Sequence, residues 1–288
     1  MLVTLCLFAD VNVVGTIAGD TNVVGVTLLQ DKLCILRDEK SRIDIYSARD
    51  FTRLDRLNVP ALQKPRDVVA CECHNCLFIA QYNRKCLIKF LLDGSTTKWP
   101  LKNESCGVSL TSTGNVLTAC TRQAGKGNKW SPPPLPVGHY ILELDSDSGQ
   151  CVHQIELNTD VVALQLLHSI QLTTDDFLTC LVPSSDHPTL RLGLFNVNGE
   201  LTRRYNSPSC SAVGQLDYPC HLAVDRDSQF IFVADQCNAR VVLLSPTLEF
   251  ECYISDGMCS EPQRLHLDPV KQRLYVGLSD GHITILQL

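Results

Sequence analysis

Long apolar runs are missing from this sequence. No segment approaches the roughly 18 consecutive apolar residues that a membrane-spanning helix needs, so no membrane partner is expected. Charged residues are also few, because Asp, Glu, Lys and Arg make up 19% of the 288 residues, whereas hydrophobic residues make up 44%. Disordered chains have the opposite composition. The composition therefore excludes a disordered polypeptide and supplies ample material for a hydrophobic core.

The signatures of nucleotide-binding enzymes are absent as well. The chain contains no phosphate-cradling GxxxxGK and no GxGxxG after a strand. Excess positive charge is missing too, since the net charge is −6 and the sequence pI is about 5.7. A nucleic-acid-binding surface would therefore need a local cluster of Lys and Arg. The best candidate contains Arg122, Lys126 and Lys129, with Trp130 as a stacking platform, although a solvated loop explains the same residues.

What the sequence does contain is an internal repeat. Residues 219–245 form three short apolar segments typical of strands, HLAV, FIFVA and RVVLL, separated by the polar turns DRDSQ and DQCN. Residues 262–286 follow the same pattern, and Pro219 and Pro262, which open the two copies, are 43 residues apart. A further copy opens at Pro65, another lies near residues 32–46, and two degenerate copies lie between them and residue 219.

One position in each second strand measures the period of the repeat. The successive intervals are 44, 39, 61, 54 and 43 residues, for the positions Ile35, Ile79, Thr118, Thr179, Val233 and Val276. A period near 43 residues is typical of a four-stranded propeller blade, and six such blades fill the chain. The two long intervals locate insertions in the third and fourth copies.

The pattern resembles the NHL repeat, which is one blade of a β-propeller. The resemblance rests on Pro219 followed by LAVD, FVAD and NARV, and on the matching residues after Pro262 and Pro65. It implies an all-β fold, a six-bladed β-propeller with four-stranded antiparallel blades, similar to the propeller domain of TRIM-NHL proteins. A single domain is expected over residues 1–288, with blades at roughly 20–60, 61–101, 102–157, 158–206, 207–257, and 258–288 plus 1–18.

Three strands are predicted for the last blade in the C-terminal part of the sequence, and the N-terminus is expected to complete it. A strand at residues 3–8 or 13–18 would supply the missing fourth strand and close the ring. The N-terminal apolar stretch lacks a basic region and is interrupted by Asp10, so it is interpreted as a strand and not as a signal peptide.

Cysteine is abundant, with 15 residues in the chain. An odd number cannot pair completely in disulfides. Cys34, Cys86, Cys120 and Cys180 lie inside apolar strands, where cysteine behaves as a small hydrophobic residue. Reduced, buried thiols in a cytoplasmic protein are therefore expected, and a secreted, disulfide-bonded domain is the alternative.

One cysteine cluster resembles a metal site. Cys71, Cys73, His74 and Cys76 offer four soft ligands within six residues. No second CxxC or HxxxH pair accompanies them, and the repeat places them on the turn between first and second strands. Alternate side chains are expected to point to opposite faces there, so no metal and no cofactor is predicted.

Some six-bladed propellers are enzymes. Lactonases and the amidating lyase hold calcium or zinc at the mouth of the central channel through Asp, Glu, Asn or His. The corresponding positions here are mixed in charge and include two arginines, which makes a poor cage for a cation: Asn22, Arg66, Asp67, Ser105, Asp160, His221 and Arg264. Catalysis is therefore not expected, and a metal-dependent hydrolase or lyase with a site at the channel mouth stays as an alternative.

The two insertions carry the functional prediction. They span residues 122–139 and 182–189 and fall at the same strand connection of neighbouring blades. Enlarged loops on a rigid scaffold are typical of a recognition surface. The sequence therefore predicts a non-catalytic module, monomeric as an isolated domain, that binds a protein partner through this face, with an RNA-binding propeller as the alternative. The residues expected at the interaction face are Arg122, Lys126, Lys129, Trp130, Asp186 and His187.

Overall fold

The computed structural model describes residues 11–81, 84–122, 138–158, 163–183, 189–206, 213–255, 257 and 259–288. Within these ranges, 24 strands form six four-stranded antiparallel sheets. The one helical element in the same ranges is a 3₁₀ turn at Gln236–Asn238. The predicted all-β, six-bladed propeller is confirmed.

The strands follow one order in every blade, from the channel outward. The first strand of the chain is β1 (Asn12–Ile17). Blade 1 is β2 (Val23–Leu29), β3 (Lys32–Arg37), β4 (Arg42–Ser47) and β5 (Arg53–Asn58). Blade 2 is β6 (Pro65–Cys71), β7 (Cys76–Gln81), β8 (Cys86–Leu91) and β9 (Thr96–Pro100). Blade 3 is β10 (Glu104–Leu110), β11 (Val116–Arg122), β12 (Gly138–Leu144) and β13 (Cys151–Glu156).

The second half of the ring repeats this arrangement. Blade 4 is β14 (Ala163–Gln171), β15 (Asp176–Pro183), β16 (Leu190–Asn196) and β17 (Leu201–Asn206). Blade 5 is β18 (Pro219–Val224), β19 (Ile231–Asp235), β20 (Arg240–Leu244) and β21 (Phe250–Tyr253). Blade 6 is β22 (Pro262–Asp268), β23 (Arg273–Leu278) and β24 (Ile283–Gln287), with β1 as its outermost strand.

The N-terminal strand closes the ring, as predicted. β1 pairs antiparallel with β24, from Asn12 opposite Gln287 to Ile17 opposite Ile283. The observed strand corresponds to the second of the two predicted positions, and the first, residues 3–8, lies outside the described residues. Closure thus joins the two ends of the chain through one blade.

The core lies between the blades. Each of six apolar clusters joins two neighbouring blades, and the cluster that joins blade 6 to blade 1 contains Ile17 of β1 beside Val23 and Tyr275. The inner three strands are therefore buried on both faces and consist of nearly continuous apolar residues, as in β7, where every residue is buried. The outermost strands such as β5 are mostly exposed and charged, which protects the edge of each sheet.

The register of the sheets confirms the repeat positions taken from the sequence. In every blade, the second-strand position used to measure the period pairs with the equivalent residue of the first strand. The six pairs are Val26–Ile35, Val68–Ile79, Val108–Thr118, Ser169–Thr179, Leu222–Val233 and Leu265–Val276. The part of the chain that the structure describes contains no apolar helix of membrane-spanning length.

Candidate functional site

The six innermost strands all begin at one end of the channel, which we call the top face. The connections between second and third strands open on this face too, because β11 ends at Arg122 beside the start of β10. A cavity of about 330 Å³ lies at the channel mouth on this face. Its lining is polar and contains two arginines and no carboxylate among the described residues: Asn22, Arg66, Cys106, Leu167, Tyr218, Cys220, Gln236, Cys237, Gln263 and Arg264.

A bulge near the start of each innermost strand turns one residue toward the channel. The pairing register shifts just before the equivalent residue in all six strands, and bulges re-aim side chains in this way. The six residues that follow the shifts are Gly25, Asp67, Gly107, His168, His221 and Arg264. Four chemically active side chains and two glycines therefore share one level of the channel.

The two glycines allow close approach of the innermost strand of the next blade. A Cβ atom on Gly107 would lie 2.6 Å from the Leu167 carbonyl oxygen and 2.9 Å from the Cα of His168. A Cβ atom on Gly25 would lie 2.7 Å from a methyl carbon of Val68. A side chain at Gly107 would therefore displace the backbone of β14, and one at Gly25 would displace the Val68 side chain.

Asp67 is the centre of the group and is 1% exposed. Its carboxylate accepts backbone hydrogen bonds from its neighbour Val68, at 2.9 Å, and from Val108 of the next blade, also at 2.9 Å. The Nε2 atoms of His221 and His168 lie 3.4 and 3.6 Å from its oxygens. Both carboxylate oxygens are thus engaged within the protein.

Arg264 supplies the opposite charge. Its Nε lies 3.6 Å from Asp67 Oδ1 and donates a hydrogen bond to the Val24 carbonyl at 2.8 Å, while one Nη donates to the Arg66 carbonyl at 2.6 Å. The guanidinium group therefore bridges blades 6, 1 and 2 across the channel. A buried charge is tolerated when it is paired and hydrogen-bonded in this way.

The two histidines are neutral and stacked. The backbone N–H of Leu265 donates to Nδ1 of His221 at 3.3 Å, so the ring proton of His221 is on Nε2, which faces Asp67. The His168 and His221 rings stack with centroids 3.8 Å apart. Burial lowers the pKa of His168 to about 3 and the pKa of His221 below its usual range. Neither ring therefore carries a charge at neutral pH.

Asp67 remains ionised despite its burial. Burial is the largest single influence and raises its pKa, but His221, Arg264 and His168 together lower the pKa to about 2. The charge of the carboxylate is balanced by Arg264, so the group as a whole is neutral. We refer to Asp67, His168, His221 and Arg264 as the channel plug.

The channel plug does not fit a metal ion, although three of its members have donor atoms within 4.8 Å of one another. A carboxylate and two imidazoles are a common ligand set. Here, however, the Nε2 proton of His221 points at the carboxylate and the Arg264 cation lies 3.6 Å from it. An added cation would have to displace that proton and lie beside the guanidinium group, so we interpret the cluster as a hydrogen-bonded support of the ring.

The structure brings together some of the residues that the sequence singled out and not others. Arg66, Asp67, His221 and Arg264 do meet at the channel, whereas Asp160 lies outside the described residues. His168 was missed, because the fourth copy of the repeat is degenerate and lacks the opening proline. Counting back from the second strand would have found it, since His168 immediately precedes Ser169, the partner of Thr179.

The predicted interaction face is described only in part. Lys126, Lys129, Trp130, Asp186 and His187 lie outside the described residues. Arg122 is described, and its guanidinium group pairs with Glu156 at 3.1 Å and lies over the Tyr140 ring with 5.9 Å to the centroid.

The cysteine cluster departs from the expected geometry. Alternate side chains were expected to diverge there, and this is wrong for three of the four residues. Cys71 ends β6 opposite Cys76, and the turn after it bends Cys73 and His74 back toward Cys71. The sulfur atoms of Cys71 and Cys73 are 3.1 Å apart, and the Nδ1 atom of His74 is 3.1 Å from the first and 3.2 Å from the second. The turn closes through Asn75, which has a φ of 47° and whose backbone N–H donates to the Glu72 carbonyl at 3.2 Å.

Comparisons with known proteins show the fold alone. No protein-family model matches the chain, and no curated protein matches its sequence. Among solved structures, virginiamycin B lyase from Staphylococcus aureus has a TM-score of 0.64 at 12% identity, with 97% of this chain and 99% of that chain covered. The WD40 β-propeller domain of Doa1 has a TM-score of 0.63 at 14% identity, with 97% of each chain covered.

A third similar structure is XC5397 from Xanthomonas campestris, described as a gluconolactonase, with a TM-score of 0.65 at 14% identity, covering 92% of this chain and 86% of that chain. These neighbours include enzymes as well as a WD40 domain. What they share with this chain is its architecture, which is a β-propeller.

Proposed function

We propose that this chain is a non-catalytic binding module of the NHL-propeller type that takes a protein ligand at the top face. The observation that carries the proposal is the chemistry of the channel mouth. The cavity there is lined by Arg66 and by Arg264, which is paired with Asp67, and has no carboxylate among its described lining residues, in a protein of net charge −6. A ligand segment that carries a carboxylate fits this local charge.

Tyr218 is the residue best suited to anchor such a ligand. It lies at the rim of the cavity, is 38% exposed, and has a φ of 62°, which only a small fraction of non-glycine residues adopt. A half-exposed tyrosine offers apolar area together with a hydroxyl group, and tyrosine is enriched at binding hot spots. The rim therefore supplies an aromatic anchor beside a positive pocket.

The hydrogen bonds of the channel plug argue against catalysis at the channel mouth. Metal-dependent lactonases and lyases need a carboxylate that is free to bind the ion, whereas both oxygens of Asp67 accept backbone hydrogen bonds and one of them lies 3.6 Å from Arg264. A cytoplasmic location belongs to the same proposal, and the free state of all 13 described cysteines supports it.

The proposal is tested by placing a photo-crosslinking phenylalanine analogue at Tyr218, with the same analogue at Val270 as the matched control. Val270 is 90% exposed and lies on the turn between β22 and β23, at the opposite end of the channel. We expect nuclease-resistant cross-links to protein from position 218 and none from position 270.

Three results would contradict the proposal. Cross-links that disappear after ribonuclease treatment would favour the RNA-binding alternative. Cross-links from position 270 alone would place the interaction on the other face. Hydrolysis of gluconolactone that depends on added calcium or zinc and is lost in Asp67→Asn would favour the hydrolase alternative.

A further inference from the structure

The turn between β6 and β7 gathers three metal-binding atoms on the face opposite to the channel mouth, which we call the bottom face. Cys71 is buried, Cys73 is exposed, and His74 lies between these extremes. Their donor atoms form a triangle with sides of 3.1, 3.1 and 3.2 Å. Two neutral thiols gain little from such proximity, because S–H is a weak donor and sulfur a weak acceptor.

A single ion fits this triangle. Its circumradius is about 1.8 Å, so an ion about 1.2 Å above its plane would lie about 2.2 Å from each corner, in the range of Zn–S and Zn–N bonds. The angles between these bonds would be about 90°, so the three donor atoms have to move apart by about 0.5 Å to reach the tetrahedral angles of a zinc site. Cys76 is not within 4.8 Å of all three donors and does not belong to the set. Since Cys73 is exposed, the fourth position of a tetrahedral ion would face solvent.

An independent observation concerns the other nitrogen of the histidine. His74 Nε2 lies 3.0 Å from Asp147 Oδ1, on the turn between β12 and β13 of the next blade. This contact keeps the ring proton on Nε2 and leaves the Nδ1 lone pair directed at the two sulfur atoms. A carboxylate on the outer nitrogen of a metal-binding histidine is a usual feature of zinc sites.

The position of Asp147 is itself fixed from blade 2. Lys89 Nζ lies 3.6 Å from the Asp147 carboxylate and donates a hydrogen bond to the Ser146 carbonyl at 2.8 Å. The turn between β6 and β7 is also held by blade 1. Gln30 donates its backbone N–H to Glu72 at 2.6 Å and its side-chain amide to Asn75 at 3.2 Å. The turn thus contacts both neighbouring blades.

We propose that Cys71, Cys73 and His74 form a binding site for a zinc-class divalent ion, with Asp147 orienting the histidine and solvent at the fourth position. Two thiolates and an imidazole suit Zn²⁺ and not the hard ions Ca²⁺ and Mg²⁺, which prefer oxygen. Binding releases the two thiol protons, so the two thiolates balance the charge of the ion. Because the turn joins blades 1, 2 and 3, the bound ion stabilises this part of the ring.

The experiment uses the full chain, reduced with a phosphine, stripped with a chelator and freed of both reagents by gel filtration. We expect one equivalent of Zn²⁺ to bind and to raise the melting temperature. Titration with Co²⁺ should give tetrahedral d–d absorption together with a thiolate charge-transfer band. Cys73→Ser and His74→Gln should each abolish this binding, while Asp147→Asn should keep the Co²⁺ spectrum and weaken affinity about tenfold.

Cys151→Ser is the matched control, because Cys151 is also an exposed cysteine but is the first residue of β13 and is not one of the three proposed ligands. The Cys151→Ser variant should bind one equivalent of Zn²⁺, as the wild type does. The inference is overturned if Cys73→Ser and His74→Gln bind Zn²⁺ as tightly as the wild type, or if Cys151→Ser loses the ion. A Co²⁺ spectrum without the thiolate band, or a Cys71–Cys73 disulfide that survives reduction, would overturn it as well.

Discussion

Asp67 carries the one carboxylate of the channel plug, and its neighbours depend on its charge. Arg264 is 8% exposed and bridges three blades, so its cation would be left without a counter-charge in the channel if Asp67 became neutral. Removal of one partner from a buried, hydrogen-bonded ion pair is strongly destabilising, whereas loss of an exposed carboxylate changes little.

Asp67→Asn is therefore expected to lower the free energy of unfolding by about 3–5 kcal/mol, as measured by urea denaturation. Asp227→Asn is the control, because Asp227 lies in an exposed turn, and its effect should stay within about 0.5 kcal/mol. If Asp67→Asn unfolds at the same urea concentration as the wild type, the channel plug does not support the ring.

The buried histidines predict acid sensitivity. In the unfolded chain, His168 binds a proton below about pH 6.5, whereas in the folded protein burial keeps the ring neutral down to a pKa of about 3. Between these values the unfolded state binds more protons, so stability falls as the pH falls, by up to about 1.4 kcal/mol per pH unit for this residue. Asp67 adds a further loss only below about pH 4, where its unfolded-state carboxyl protonates.

Urea denaturation at pH 7, 6, 5 and 4 measures this dependence. In His168→Gln the slope of unfolding free energy against pH should fall by about 1.4 kcal/mol per unit below pH 6. His153→Gln, on the exposed strand β13, controls for the removal of an imidazole elsewhere. Equal slopes for wild type and His168→Gln would show that His168 titrates normally in the folded protein.

At the residue scale, the sequence predicted several of the positions at the channel, but not His168 and not how these residues interact. Arg66, Asp67, His221 and Arg264 were found because they follow strand openings marked by proline. Two arginines led to the prediction that a cation would be disfavoured there, whereas the neutral histidine pair depends on the Leu265 N–H, which no spacing reveals. The Cys71–His74 geometry was missed for a similar reason, since it depends on the path of the turn and on the contact of His74 with Asp147 of the next blade, which the spacing of the residues does not show.

At the scale of strands, burial determines whether a strand can be recognised in the sequence. The inner three strands of each blade are apolar on both faces, so segments such as CLFIA in β7 were visible at once. The outermost strands are exposed and irregular in pattern, as in RLDRLN of β5, and their positions came only from the length of the period. The residues of β1 belong to both classes, because its Val13 and Val14 are exposed while Ile17 is buried.

β1 provides the prediction at this scale. A chain that begins at Asp20 lacks β1, so the edge of β24 is unpaired and Ile17 is lost from the cluster between blades 6 and 1. An open, apolar edge promotes association. We expect this chain to aggregate or to lose cooperative unfolding in calorimetry.

The control chain begins at Val11 and keeps β1 intact. It should unfold cooperatively with a melting temperature close to that of the full chain. If the chain that begins at Asp20 melts like the one that begins at Val11, β1 does not close the ring in solution.

At the scale of the whole molecule, the two faces of the propeller differ in chemistry. The top face has a positive pocket with Tyr218 at its rim, and the bottom face carries the Cys71–His74 turn. The strands that the two predicted insertions follow, β11 and β15, both end on the top face.

The free thiols give the last prediction, which concerns the stability of the whole ring. All 13 described cysteines are free, and most are buried in the sheets, where desolvation raises the pKa of Cys34 and of Cys120 to about 12. Such thiols stabilise the fold by packing, not by covalent bonds.

A phosphine reductant, added to chelator-stripped protein, should therefore leave the melting temperature unchanged within about a degree, since a structural disulfide typically contributes about 2–4 kcal/mol. Calorimetry with and without the reductant measures this, and a fall of many degrees would show that disulfides hold the ring together and would argue against a cytoplasmic location. Zinc added to the reduced sample separates the two cysteine effects, because it should raise the melting temperature of wild type and of Cys151→Ser but not of Cys73→Ser.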